Sequence, residues 1–147
     1  MIPDDAVERL MESAQSIGKS CDAAGLQQWE VFASQGYGHS LDIEAGRISM
    51  ASGGGDGGFG IRVVEDGRYG YAHLVDINSA DRAIQQALNI AKKSPSIKGF
   101  ELPANQSSSK VGGMKDKAIL DLSPEDLLEQ GDQVLTRVSE LDSRAVA

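Results

Sequence analysis

Cysteine is almost absent. Cys21 stands alone among 147 residues, which excludes an intrachain disulfide framework. Histidine is nearly as scarce. His39 and His73 are the two present, far apart in sequence, and neither has a second metal ligand at helical spacing. H-E-x-x-H is missing altogether. Basic tracts are also missing, and the formal net charge is −8 with a pI near 4.7. That balance argues against nucleic acid, whose phosphates require clustered Lys and Arg. No apolar run approaches the ~18 residues of a spanning helix, so no membrane partner is expected. The N-terminus, MIPDDAVERL, is acidic and lacks the basic-then-apolar order of a signal peptide. These absences together lead to the expectation of a soluble, cytoplasmic chain.

The hydrophobic fraction of 40% is enough for a core, and the length suits a single domain over residues 1–147. Apolar residues at three- and four-residue steps predict a helix over 4–24: Val7, Leu10, Met11, Ala14, Ile17 or Gly18, Cys21 and Ala24. Asp4 or Asp5 suits its start and Gly25 its end. Residues 28–36, 39–45, 47–52, 59–65 and 68–74 read as extended. A second helix is predicted over about 79–93, with Ala80, Ala83, Ile84, Ala87, Leu88 and Ala91 as its stripe. Lys92 and Lys93 suit its C-terminus, and Pro95 stops it. Residues 95–117 read as a long flexible loop. Ser123, Pro124 and Asp126 then open a third helix, with Ser123 as cap, Pro124 in the first turn and Asp126 reaching back. Its stripe is Leu127, Leu128, Val134, Leu135, Val138 and Leu141, interrupted by Gly131.

Two segments echo each other. Glu44-Ala45-Gly46-Arg47 and Glu65-Asp66-Gly67-Arg68 both read as two-residue hairpin turns. The first places Glu44 opposite Arg47, Ile43 opposite Ile48 and Leu41 opposite Met50. The second places Glu65 opposite Arg68, Val63 opposite Gly70, Ile61 opposite Ala72 and Phe59 opposite Leu74. It also sets Arg62 opposite Tyr71, within reach of a cation–π contact. The fold class expected is α+β: an antiparallel sheet of 4–5 strands built from two hairpins. Amphipathic helices cover one face, one before the sheet and two after it.

Residues 53–60, GGGDGGFG, contain G-x-G-x-x-G twice. A dinucleotide site needs a helix after such glycines, to place its N-terminus on the pyrophosphate. Here a strand follows, and no Lys-Ser/Thr completes a P-loop. Glycine inside a strand costs about 0.5–1 kcal/mol relative to alanine, so most of the run is expected to be a mobile loop between two hairpins.

The residues that could carry chemistry are dispersed. His39 and His73 read as strand-end surface histidines, although His73 has Asp76 nearby in sequence. Cys21, on an apolar stripe, reads as a small buried hydrophobe. Asp42 and Glu44 share a solvated strand face, and Trp29 reads as a core or rim anchor. These residues predict no catalytic, cofactor-binding or metal site in this chain.

The element order and the central motifs resemble a known family. S-L-D-I-E-A-G-R-I-S-M-A-S, the glycine link, G-F-G-I-R-V-V-E-D-G-R-Y-G-Y-A and the helix A-I-Q-Q-A-L-N-I-A-K-K-S are similar to the N-terminal domain of the TldD/PmbA family. Its members were once called candidate modulators of DNA gyrase. The resemblance covers roughly residues 7–143. It implies a cytoplasmic protein longer than this chain, acting in a pair of related subunits. One subunit carries a zinc-binding H-E-x-x-x-H helix in its C-terminal part. The pair is a metallopeptidase for unfolded or extended peptides, including maturing peptide antibiotics. No family catalytic residue maps onto this chain, which is therefore expected to be inactive alone, without zinc, and to help form the cleft and the subunit interface. The stop at Ala147 fits an excised chain, and the wording is slightly nearer the PmbA type. The alternative is a stand-alone peptide- or protein-binding module that uses the sheet edge at 28–36.

Overall fold

The computed structural model describes residues 5–104 and 111–145. The order of elements is α1 (Ala6–Ala23), β1 (Gln28–Glu44), β2 (Arg47–Glu65), β3 (Arg68–Leu74), a 3-10 turn (Ile77–Ser79), α2 (Ala80–Lys93), α3 (Lys117–Leu120) and α4 (Pro124–Leu141). The sheet has three strands in the order β1-β2-β3, not the 4–5 expected. The two extended segments on either side of Gly38 join into β1, and those on either side of the glycine run join into β2. Glycine ordinarily punctuates a strand, but the backbone here stays extended and keeps pairing. The mobile loop expected at residues 53–60 is strand instead.

Both hairpin turns form as read. Ala45 and Gly46 have φ of 51° and 74°, and Asp66 and Gly67 have 52° and 69°, the left-handed pair that a type I′ turn needs. The second turn sets the β2–β3 register at Glu65↔Arg68, Val63↔Gly70, Ile61↔Ala72 and Phe59↔Leu74.

The chain divides into two compact units. One contains residues 5–35 and 57–104 of those described. Here alternation along β2 and β3 sends Phe59, Ile61, Val63, Ala72 and Leu74 to one face. Ile17 and Cys21 of α1 and Ala83, Ile84, Ala87 and Ala91 of α2 close over them. Each large aliphatic side chain buried this way contributes about 1.5–3 kcal/mol. Gly70 is where α2 comes closest: a Cβ there would run into the Ala87 carbonyl and lie 2.7 Å from the Ala91 nitrogen. Only the C-terminal half of the α1 stripe is sealed, because Val7 and Met11 are exposed. Helix α1 ends at Gly25, whose φ of 71° is the left-handed C′ position glycine favours. Asp5 makes no side-chain cap bond, and Asp4 lies outside the described residues.

The other unit contains residues 36–56 and 111–145 of those described. It is a two-stranded ribbon with α3 and α4. Gly131 of α4 rests on Leu41 and near Ile48, so α4 packs on the ribbon where it lacks a side chain. Leu127, Leu135 and Val138 flank that contact and are half-buried, whereas Val134 and Leu141 stay exposed. The Ser123–Asp126 capping box forms with Pro124 in the first turn. Serine hydroxyls link the two strands of the ribbon. The Ser49 hydroxyl donates to the Asp42 carbonyl at 3.1 Å, while the Ser40 and Ser52 hydroxyls meet at 2.7 Å. Of the loop expected over 95–117, residues 105–110 lie outside the described residues; its last residue, Lys117, opens α3.

Candidate functional site

Strand β1 is an edge of the sheet, so on its outer side alternate N–H and C=O groups face away from β2. Along residues 29–31 this edge lies in a slot of about 580 Å³. One wall is α1, through Met11, Ala14 and Gln15; the other is the stretch 102–104. Trp29 is held against α1. A Cβ at Gly18 would lie 2.6 Å from the indole ring, and the indole Nε1 donates to Asp22 at 2.9 Å. The far wall is tied down by the Leu102 amide, which donates to the Gln28 side chain at 2.8 Å. Glu30 also lines the slot and pairs with Arg62 at 3.5 Å. Register sets Arg62 opposite Tyr71, as expected; the contact its guanidinium makes is this ion pair rather than the cation–π contact anticipated.

The sequence-singled residues are not gathered into one site. Cys21 is fully buried, and its thiol is pushed up to about 11, by burial first and the Asp22 charge second. A neutral thiol in that position packs as a small hydrophobe and is no nucleophile. His73 is exposed near the end of β3. Asp76 turns to Asn78, accepting from both its backbone and its side-chain nitrogen, so the His73–Asp76 pairing does not form a working dyad. His39 is not at a strand end. It sits mid-strand, half-buried, edge-on to Tyr37 with ring centroids 5.0 Å apart. Asp42 and Glu44 are exposed, as a solvated face requires. Among the described residues, no group of three or more His, Cys, Asp or Glu is gathered to hold a metal ion.

Four of the six glycines of β2 lie beneath aromatic side chains. In the ribbon, His39 lies over Gly53, and Tyr37 lies 3.3 Å from where a Gly55 Cβ would be. In the helix-covered unit, the His73 ring lies 2.6 Å from the Cβ position of Gly58, and the Tyr71 ring lies 3.0 Å from that of Gly60. Each ring covers backbone that glycine leaves bare, which offsets part of the cost of glycine in a strand. Sequence reasoning missed this role. The alternation of Tyr37, His39, Tyr71 and His73 in the flanking strands was its one visible trace.

Residues 29–91 match the family profile described as PmbA/TldA metallopeptidase domain 1. No curated protein sequence gives a significant match. Among solved structures, the chain is similar to TldE from Thermococcus kodakarensis, with 23% identity and a TM-score of 0.78 over 90% of this chain and 30% of that one. It is also similar to a candidate modulator of DNA gyrase from Bacteroides thetaiotaomicron VPI-5482, with 17% identity and a TM-score of 0.77 over 98% of this chain and 33% of that one. A protein of the same description from Thermotoga maritima MSB8 aligns at 15% identity and a TM-score of 0.70, over 91% of this chain and 30% of that one. At these identities the likeness shows a shared fold. The chain spans about a third of the length of the solved structures it matches.

Proposed function

With residues 29–91 carrying the first domain of the PmbA/TldD family, we propose that the chain is a non-catalytic domain of a metallopeptidase system, helping to shape the peptide cleft and the interface with a related subunit. The observation that carries this reading is the profile match, which spans β1, the glycine run, both I′-turn strands and most of α2. The reading places the zinc-binding residues outside this chain and the protein in the cytoplasm. No described helix is long and apolar enough to cross a membrane, which is compatible with that placement. Unfolded or extended peptides are the proposed substrates of the assembled system.

The domain role is tested by incubating the purified chain with zinc and an unfolded peptide, alongside elemental analysis. The expected result is no hydrolysis and no stoichiometric zinc. Hydrolysis that disappears in His39→Ala or His73→Ala would overturn the non-catalytic reading.

A further inference from the structure

We propose that α4 is a detachable cover. It lifts off the ribbon and returns while the helix-covered unit stays folded, and the open form bares Leu41 and Ile48 of the ribbon. The inference concerns the unit of residues 36–56 and 111–145 alone, and it does not rest on the metallopeptidase reading.

Three observations carry it. First, this unit has almost no core. Among its described residues, Gly131 is the one buried position, and glycine brings no side chain to bury. Leu41 and Ile48, the two ribbon side chains beside Gly131, are half-buried, and Met50 and Val134 are exposed. The other unit buries Ile17, Ile61, Val63 and Ile84 almost completely. The free energy of a local opening follows the apolar contact that it breaks, so it is low for α4 and high for that core. Second, polar bonds do not tie α4 to the ribbon among the described residues. Those of α4 close within the helix: the Ser123–Asp126 box, Gln133 to Glu129 at 3.4 Å and Arg137 to Glu140 at 3.1 Å. The serine bonds of the ribbon close within the ribbon. Lifting α4 therefore breaks none of them and strands no buried donor or acceptor. Third, the fit is incomplete. A space of about 290 Å³ remains where Leu127 and Leu128 face His39, Leu41 and Ala51, whereas tightly joined layers leave few voids larger than a water molecule. Closed, the cover shields Leu41 and Ile48. Open, it shows them to solvent as an apolar strip.

The test uses the complete 147-residue chain carrying Ile48→Cys, and compares how fast a disulfide reagent labels position 48 and the native Cys21. Cys21 is buried in the other unit and reports unfolding of that core. Met50→Cys, at an exposed position of the same strand, gives the rate of an uncovered thiol. The expected result is labelling at position 48 at least tenfold slower than at position 50 and at least tenfold faster than at Cys21. Its rate should also rise less steeply with urea than that of Cys21, because a local opening exposes less surface. Gly131→Leu, whose side chain must displace the Leu41 methyl group, should bring position 48 close to the rate of position 50 and leave Cys21 unchanged. Adding Leu41→Ala, which vacates that space, should slow position 48 again. Position 48 labelled in step with Cys21, position 48 as fast as position 50 before any change to α4, or a Gly131→Leu variant that speeds neither site or both alike would overturn the proposal.

Discussion

At the scale of single residues, the most constrained position is Gly70. A Cβ there meets the backbone of α2 at Ala87 and Ala91, which no rotamer change can relieve. Gly70→Ala is expected to destabilise the chain by about 1–3 kcal/mol, the usual cost of overpacking, read from the urea midpoint at unchanged slope. Cys21 gives a second prediction. Its folded-state pKa of about 11 lies above the ordinary thiol value of ~8.5, because the folded state disfavours the thiolate. That contribution to stability is complete below about pH 8.5 and is lost as pH rises through about 11. Cys21→Ala should therefore lack one component of the alkaline destabilisation. The native thiol should also react with a disulfide reagent only on unfolding. Cys21 and Trp29 were legible in the sequence because each sits in a local pattern, a helical stripe and a strand start. The glycines beneath Tyr37, His39, Tyr71 and His73 were not, because a ring that fills the place of a missing Cβ comes from another strand.

At the scale of elements, turns and caps were the most legible features, since their chemistry is written in adjacent residues. Asp66-Gly67 fixed the whole β2–β3 register, and Ser123-Pro124 with Asp126 fixed the start of α4. Ser123→Ala is expected to cost about 1 kcal/mol, the usual value of an N-cap. The Ser123 hydroxyl first and its backbone amide second hold the Asp126 carboxyl below its ordinary range. Its contribution to the α4 start is therefore present above about pH 3.9 and fades as pH falls through the lower folded value. Backbone amide shifts of residues 123–127 followed by NMR should report that fading. Strand length was the element property that the sequence misreported. A glycine-rich stretch looks alike whether it is a loop or a strand whose neighbours supply the rings. Hydrogen exchange separates the two cases. Protection at alternate amides across Gly53–Gly57 is expected for continuous β2, whereas uniformly fast exchange through the run would support the loop.

At the scale of the whole molecule, the first-domain assignment rests on residues 29–91, the stretch in which the E-x-G-R turns, the glycine run and the A-L-N-I-A-K helix follow one another. That succession was legible in the sequence, and the resemblance to the family rests on it. The groove at β1 was legible only in part. An edge at 28–36 could be named, but not the wall at 102–104, which depends on the long-range bond from Leu102 to Gln28. The central claim is that this chain does the work of a non-catalytic first domain in a metallopeptidase pair. It is tested most directly by domain transplant. In a two-subunit peptidase of the family, the first domain of the subunit without the zinc helix is deleted and then replaced by this chain, and hydrolysis of an unfolded peptide is measured. The account predicts that deletion abolishes hydrolysis and that the transplant restores at least a measurable part of it, dependent on the zinc helix of the other subunit. A transplant that forms the soluble pair yet hydrolyses no more than the deletion would contradict it.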